Sequence, residues 1–280
     1  MLGILDLFDS QDAPIILEFE QLHERLGYNR STLYRYLKAL TDAGLLWSFP
    51  SLGYVLGPRI IQLDYRSRVS DPLIRMARPA MQHVAREFGG VALLCRWYKF
   101  DVICVHQESG TDLIASHYER GCARSLLRGA ASLAILAQLP TQRLQRLYQG
   151  SAQAFAQAGL GTSLEEVKAG LRAHRQRGWV GTTGEVTPGV TGVAAPVFEA
   201  RNKCVGSLSI TLPEARATPE RVARAAEQIM RQAQAISEAM ERASPVAVAA
   251  PPEPAPREVA RAQAGDAPAR RRSAAPAKLR

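Results

Sequence analysis

The chain lacks what would place it in a membrane, in a disulfide-stapled scaffold or among the enzymes recognised by a short motif. Its apolar runs, such as Val91 to Cys95 and Val193 to Phe198, fall far short of the ~20 residues that a spanning helix requires. That argues against a membrane-embedded chain. Four cysteines, Cys95, Cys104, Cys122 and Cys204, are too few and too scattered for a disulfide framework or a CxxC metal site, and read as buried or idle thiols. The five histidines are dispersed, and there is no His-x-x-Glu-His pair, GxSxG elbow, P-loop or GxGxxG run. One catalytic arrangement suggests itself, because Cys104, His106 and Glu108 at i, i+2 and i+4 of a strand would share a face. Alignment along a strand does not activate a nucleophile, so the expectation is no catalysis, no cofactor and no metal. His106 and His117 read as sheet-surface residues. The opening Met1 to Asp6 has no basic segment, and Asp6 and Asp9 stand where a signal peptide would be uncharged. A cytoplasmic location is expected.

What is present is ordinary globular material: 280 residues, 46% hydrophobic and 22% charged, enough for one large domain or two modest ones. The net charge of +9 suits a polyanionic partner. Of this, +4 sits in residues 244–280, which are mostly Ala, Pro and Arg and contain no aromatic side chain. Such a segment cannot bury enough apolar area to offset the entropy of ordering, and it reads as a disordered basic tail.

The first 66 residues have a grammar of their own. Ile15, Phe19, Leu22 and Leu26 lie along one helical face, and Gly27 stands where a C-cap glycine belongs. Asn29 is placed to cap a second helix, with Leu33, Leu37 and Leu40 as its apolar stripe and Gly44 as its stop. Two short helices joined by a tight, glycine-containing turn form a helix-turn-helix. Leu45 to Phe49 and Tyr54 to Leu56 around Pro50 to Gly53 read as a β-hairpin, which makes the module a winged helix-turn-helix. Opposite the leucine stripe the second helix presents Ser31, Arg35 and Lys38, flanked by Arg30, Thr32, Tyr34 and Tyr36. These supply donors for phosphates and base edges, as a recognition helix requires. A solvated basic face or a protein-docking surface is the competing reading.

From Asp71 the pattern changes. A helix carrying Leu73, Ala77, Ala80, Val84 and Phe88 leads into strands at Val91 to Tyr98 and Val102 to His106, with a third at Leu113 to Tyr118. Helices are expected over 130–139, 142–148 and 163–177, then a hairpin of Val193 to Phe198 with Val205 to Leu212, then a long helix over 219–242 with Thr218 as its cap. Strands joined by short turns and flanked by helices indicate an α+β domain with a largely antiparallel sheet over residues 67–243.

The run Leu22 to Leu40, then Gly44-Leu45-Leu46 and Tyr54-Val55-Leu56-Gly57-Pro58-Arg59, resembles the DNA-binding domain of IclR-type transcriptional regulators. Gly178-Trp179, Pro188 to Phe198 and Gly206 to Ile210 are similar to that family's effector domain, so the resemblance spans Leu2 to Arg242. It implies a winged helix-turn-helix, a linker helix and a GAF-like effector domain, working as a homodimer or a dimer of dimers on a double-stranded operator. Ala130, Ala131, Glu185, Gly192, Ser209 and Thr211 are the effector-pocket residues it implies. For Ser209 and Thr211, ordinary strand residues facing one way is the plainer alternative. The chain departs from the family where His, Gly and Lys are replaced by Leu127, Ser132 and Leu133. Without that His and Lys, a carboxylate effector would look to backbone N–H groups around Gly189 to Gly192, to hydroxyls, or to Arg124 and Arg128. An inward, ionised Glu185 would instead favour an amine, an amide or a hydroxylated neutral ligand, an aromatic one included. The expected function is therefore a ligand-responsive transcriptional regulator, with a sensor whose helix-turn-helix docks a protein as the alternative.

Overall fold

The computed structural model describes residues 1–8, 16–98, 101–111, 120–199 and 203–243. The expected basic tail, the strand at Leu113 to Tyr118, Ile15 and His117 lie outside them. Helices α1 (Gly3–Asp6), α2 (Phe19–Leu26) and α3 (Arg30–Asp42) precede a hairpin of β1 (Leu46–Phe49) and β2 (Gly53–Leu56). The local signals operate as expected. Gly27 ends α2 in the left-handed region at φ 65°, and the Asn29 side chain accepts the Thr32 N–H at 2.8 Å to start α3. Leu33, Leu37 and Leu40 are buried together with Ile4, Leu17, Leu22 and Leu46, and this small core fixes α3 against α2 and the hairpin. Leu17 adds a bridge to Tyr54 at the hairpin edge. The adjoining Gly53 has φ 121°, and a Cβ there would lie 2.6 Å from the Leu17 carbonyl oxygen, so only glycine fits. The short α1, which contributes Ile4 to this core, has too little periodicity to be read from sequence.

Helix α4 (Pro58–Ser70) has no buried residue and leads through Asp71 into α5 (Pro72–Phe88), whose first turn Asp71 caps at the Leu73 N–H. The remaining elements are β3 (Val91–Tyr98), β4 (Asp101–Ser109), β5 (Ala123–Ser125), α6 (Ala130–Leu136), α7 (Thr141–Gln157), α8 (Leu164–Arg177), β6 (Val180–Thr183), β7 (Val190–Glu199), β8 (Lys203–Pro213) and α9 (Pro219–Arg242). Among the described residues, six strands form one sheet in the order β5-β4-β3-β8-β7-β6. All of its pairings are antiparallel.

Strand alternation divides the core between the two faces. Ala92, Leu94, Val193, Ala195, Val197, Leu208, Ile210 and Leu212 pack under α5 and α9. Val91, Leu93, Cys95, Val102, Cys104 and Ala194 face α6, α7 and α8. The α+β architecture is thus a sheet covered by helices on both sides.

Helix α7 departs from the sequence reading, which ended it near Tyr148. It continues to Gln157 across a break at Ser151 (φ −152°), where the Ser151 hydroxyl donates to the Leu147 carbonyl at 2.6 Å. Gly150 and Ser151 do interrupt the helix, but burial of Phe155 brings the chain back into it.

Candidate functional site

Two sites can be built from these elements. The first is the outer face of α3. Arg30, Ser31, Tyr34, Arg35 and Lys38 are exposed there, with Thr32 half-buried at the start. Their surroundings differ. Arg30 forms a two-pronged ion pair with Glu20 of α2 and lies over the Phe19 ring at 5.2 Å, while Tyr34 stacks on the same ring at 4.3 Å. Lys38 pairs with Asp42 one turn on, at 3.0 Å. Among the described residues Arg35 and Ser31 have no ion pair or side-chain hydrogen bond, and they project one turn apart, Ser31 from the first turn of the helix and Arg35 from its middle. Beside them the hairpin exposes Trp47 and Phe49, stacked at 6.5 Å.

The second site is a cavity of about 40 Å³ between the sheet and the N-terminus of α6. The six pocket residues implied by the resemblance, Ala130, Ala131, Glu185, Gly192, Ser209 and Thr211, all line it. Sheet register explains how. Gly192 pairs with Thr211 on one side and with Thr182 on the other, and Ser209 pairs with Leu93 of β3, so all five residues share the face beneath α6. Gly129, at φ 87°, starts α6 in the left-handed region, where a Cβ would meet the Val186 side chain at 2.7 Å. That close approach brings the β6–β7 loop over the cavity.

The hydrogen bonds there are specific. The Gly129 N–H donates to Glu185 Oε2 at 2.9 Å, and the Ala130 N–H donates to Thr182 Oγ1 at 3.1 Å, so two of the free N–H groups of α6 are capped across the sheet. Thr211 donates its hydroxyl to the Val91 carbonyl at 3.1 Å. Ser209 Oγ is buried and has no partner among the described residues. His174 of α8 stands within electrostatic reach of Glu185. Burial and then the Arg177 guanidinium hold its imidazole below the usual histidine range, against a smaller upward pull from Glu185. Its Nδ1 accepts from Arg177 at 3.2 Å, as the neutral ring does.

Several expectations need correction. Arg124 and Arg128 do not line the cavity, so neither faces a ligand there. The Val190 N–H bonds to Thr187, and Thr191 and Gly192 lie in a strand paired along both edges, so three of the four N–H groups expected to receive a carboxylate are already engaged. Leu127 and Leu133 are core residues. Thr182 was missed as a pocket residue; its place opposite Gly192 depends on strand pairing across the loop.

Cys104, His106 and Glu108 do not share a face. A bulge sets Cys104 opposite Cys95 and His106 opposite Leu94, so Cys104 joins the core under α6 while Glu108 meets α5 through Arg78 at 3.1 Å. Cys104 Sγ bonds to the His106 carbonyl rather than to its imidazole, and His106 Nε2 lies 2.9 Å from Glu108. Burial pushes the Cys204 thiol up to about 11, which keeps it protonated. Among the described residues no group of three His, Cys, Asp or Glu side chains gathers to hold a metal, and no helix is long and apolar enough to cross a membrane.

Contacts also join α4 to the effector domain. Asp64 of α4 is held between Arg68, at 3.1 Å, and Arg120 beyond β4, and its carboxyl lies below the usual range, chiefly because of Arg120. Asp71, at the α4–α5 junction, accepts from Arg96 of β3 at 2.9 Å.

Comparison with known proteins places both halves. The model of the IclR helix-turn-helix domain matches residues 1–47, and that of the bacterial transcriptional regulator IclR C-terminal domain matches residues 67–238. The HTH-type transcriptional regulator KipR of Bacillus subtilis is 24% identical over 223 residues, 79% of this chain and 87% of KipR. The crystal structure of an IclR transcriptional regulator from Alicyclobacillus acidocaldarius superposes with a TM-score of 0.71 at 24% identity, covering 84% of this chain and 95% of that one. An IclR homologue from Microbacterium hydrocarbonoxydans, complexed with 4-hydroxybenzoate, gives 0.68 at 19% identity, covering 87% and 98%. The chain belongs to the IclR family of bacterial transcriptional regulators, with a helix-turn-helix DNA-binding domain followed by a C-terminal effector domain.

Proposed function

We propose that α3 enters the major groove of a specific double-stranded operator, and that a small organic molecule bound beneath α6 shifts the population competent to hold that DNA. The observation that carries this reading is the α3 face, where Arg35 and Ser31, unpaired among the described residues, project from a helix fixed by its buried leucines. Arg30, Thr32, Tyr34 and Lys38 complete the interface as phosphate contacts or as props for the protruding pair. The cavity lined by Ala130, Ala131, Glu185, Gly192, Ser209 and Thr211 is the effector site, and the small organic ligand of the Microbacterium homologue supports that use of the fold. The chain binds its effector without transforming it and works in the cytoplasm. The DNA-binding module spans residues 1–66 with the start of the linker helix, and the effector domain spans 67–243.

A second copy completes the assembly. Ile61, Tyr65 and Val69 follow one another at helical spacing along α4 and are exposed by 71%, 56% and 52%. Pairing of two copies across this ridge, as a homodimer or within a dimer of dimers, would present two recognition helices to two half-sites. A protection footprint on the DNA upstream of the gene tests the reading. The expected result is two protected half-sites centred about 10 bp, one helical turn, apart or at a multiple of that. Uniform coating without preferred positions would contradict it and leave the protein-docking alternative.

A further inference from the structure

Resting on the effector site proposed above, we infer that this chain selects an uncharged, hydroxylated small molecule and discriminates against the carboxylate of the same skeleton. The cavity offers acceptors where an anion needs donors. Glu185 occupies the Gly129 N–H with Oε2, and Thr182 occupies the Ala130 N–H, so the first two main-chain donors of α6 are already taken. Among the described residues lining the cavity, Glu185 is the one charged side chain, and it is an anion. The neighbouring His174, whose Nδ1 accepts from Arg177 and whose imidazole is held below the usual histidine range chiefly by burial, is no counter-charge to it.

Glu185 and Ser209 keep polar atoms with which to hold a ligand. Glu185 Oε1 has no hydrogen bond among the described residues, and it accepts from a ligand hydroxyl. Ser209 Oγ, on a residue only 2% exposed, has neither donor nor acceptor partner among the described residues. A buried hydroxyl left unpaired is destabilising, and a ligand hydroxyl can both donate to it and accept from it. Thr211 has given its proton to Val91 and can only accept. A carboxylate would have to displace Glu185 from Gly129 and would then sit against a like charge. The floor of Leu93, Ala130 and Ala131 takes the carbon skeleton.

The test uses matched acid and alcohol pairs: glycerate with glycerol, lactate with propane-1,2-diol, and 4-hydroxybenzoate with 4-hydroxybenzyl alcohol. Each is titrated calorimetrically into the full chain. The alcohol of at least one pair is expected to bind about tenfold more tightly than its acid, the cost of one lost charge-assisted hydrogen bond. Glu185→Gln preserves the acceptor for Gly129 and should narrow that ratio by raising acid affinity. Ser209→Ala should weaken the alcohol by about 2- to 12-fold, one neutral hydrogen bond, without lowering the thermal transition, because that hydroxyl has no partner to lose. Tighter binding of the acids, an unchanged ratio in Glu185→Gln, or binding of none of the probes would overturn the inference. Preferential alcohol binding that left operator affinity unmoved would overturn the proposed regulation and leave this selectivity standing.

Discussion

Replacing Arg35 with Ala is expected to weaken operator binding by about 1–3 kcal/mol, or about 5- to 150-fold, while leaving the fold intact. The guanidinium is exposed, lies on the side of α3 opposite Leu33, Leu37 and Leu40, and is engaged by no acid among the described residues. Its donors are therefore available to a guanine edge or to phosphate, and its removal takes no packing from the core. Arg30 makes a useful contrast. Held by Glu20 and Phe19, it must leave an existing ion pair before it can meet DNA, so Arg30→Ala should cost less. Titration of both variants against operator and scrambled duplex separates base reading from phosphate contact. A base-reading Arg35 loses affinity on the operator alone, whereas a phosphate contact loses it on both. Undiminished affinity on both duplexes would remove Arg35 from the interface.

Leu37→Ala should be more damaging to the DNA-binding module than any surface change. Leu37 is 1% exposed at the centre of the cluster that joins α1, α2, α3 and β1. Truncation in so small a core costs about 2–5 kcal/mol, transfer and cavity together, and the module has few other large buried side chains to compensate. Amide hydrogen exchange should show α2, α3 and the hairpin losing protection together. The sheet of the effector domain, whose cores lie under α5 and α9 and under α6 to α8, should keep its own. Operator binding should fall with the folded fraction of the module. Unchanged protection in α3 would mean that the leucine stripe does not hold the recognition helix.

The helix-turn-helix was legible because its determinants are local. Gly27, Asn29 and Gly44 act within one turn of themselves, and the leucine spacing declares which face is buried. The long α9 was legible for the same reason, from Thr218 and Pro219 at its start. What escaped was set by partners distant in sequence. Strand β6, Val-Gly-Thr-Thr, is only four residues long with a glycine inside it, too short to show a period, and its extension is fixed by pairing with β7. The bulge opposite Leu94 and Cys95 leaves no mark in composition, yet it moves His106 to the other face from Cys104. The resemblance located six cavity residues. It did not reveal that Glu185 caps Gly129 across 56 residues, and the proposed preference of charge rests on that contact.

The most direct test of DNA recognition by α3 is the salt dependence of operator affinity for the full chain, with Lys38→Ala measured alongside. If the basic face neutralises phosphates, log K falls linearly with log salt at roughly −0.9 per phosphate, and removal of Lys38 makes the slope shallower by about one contact at every sequence tested. A slope near zero, or one that Lys38→Ala leaves unaltered together with equal affinity for operator and scrambled DNA, would contradict it.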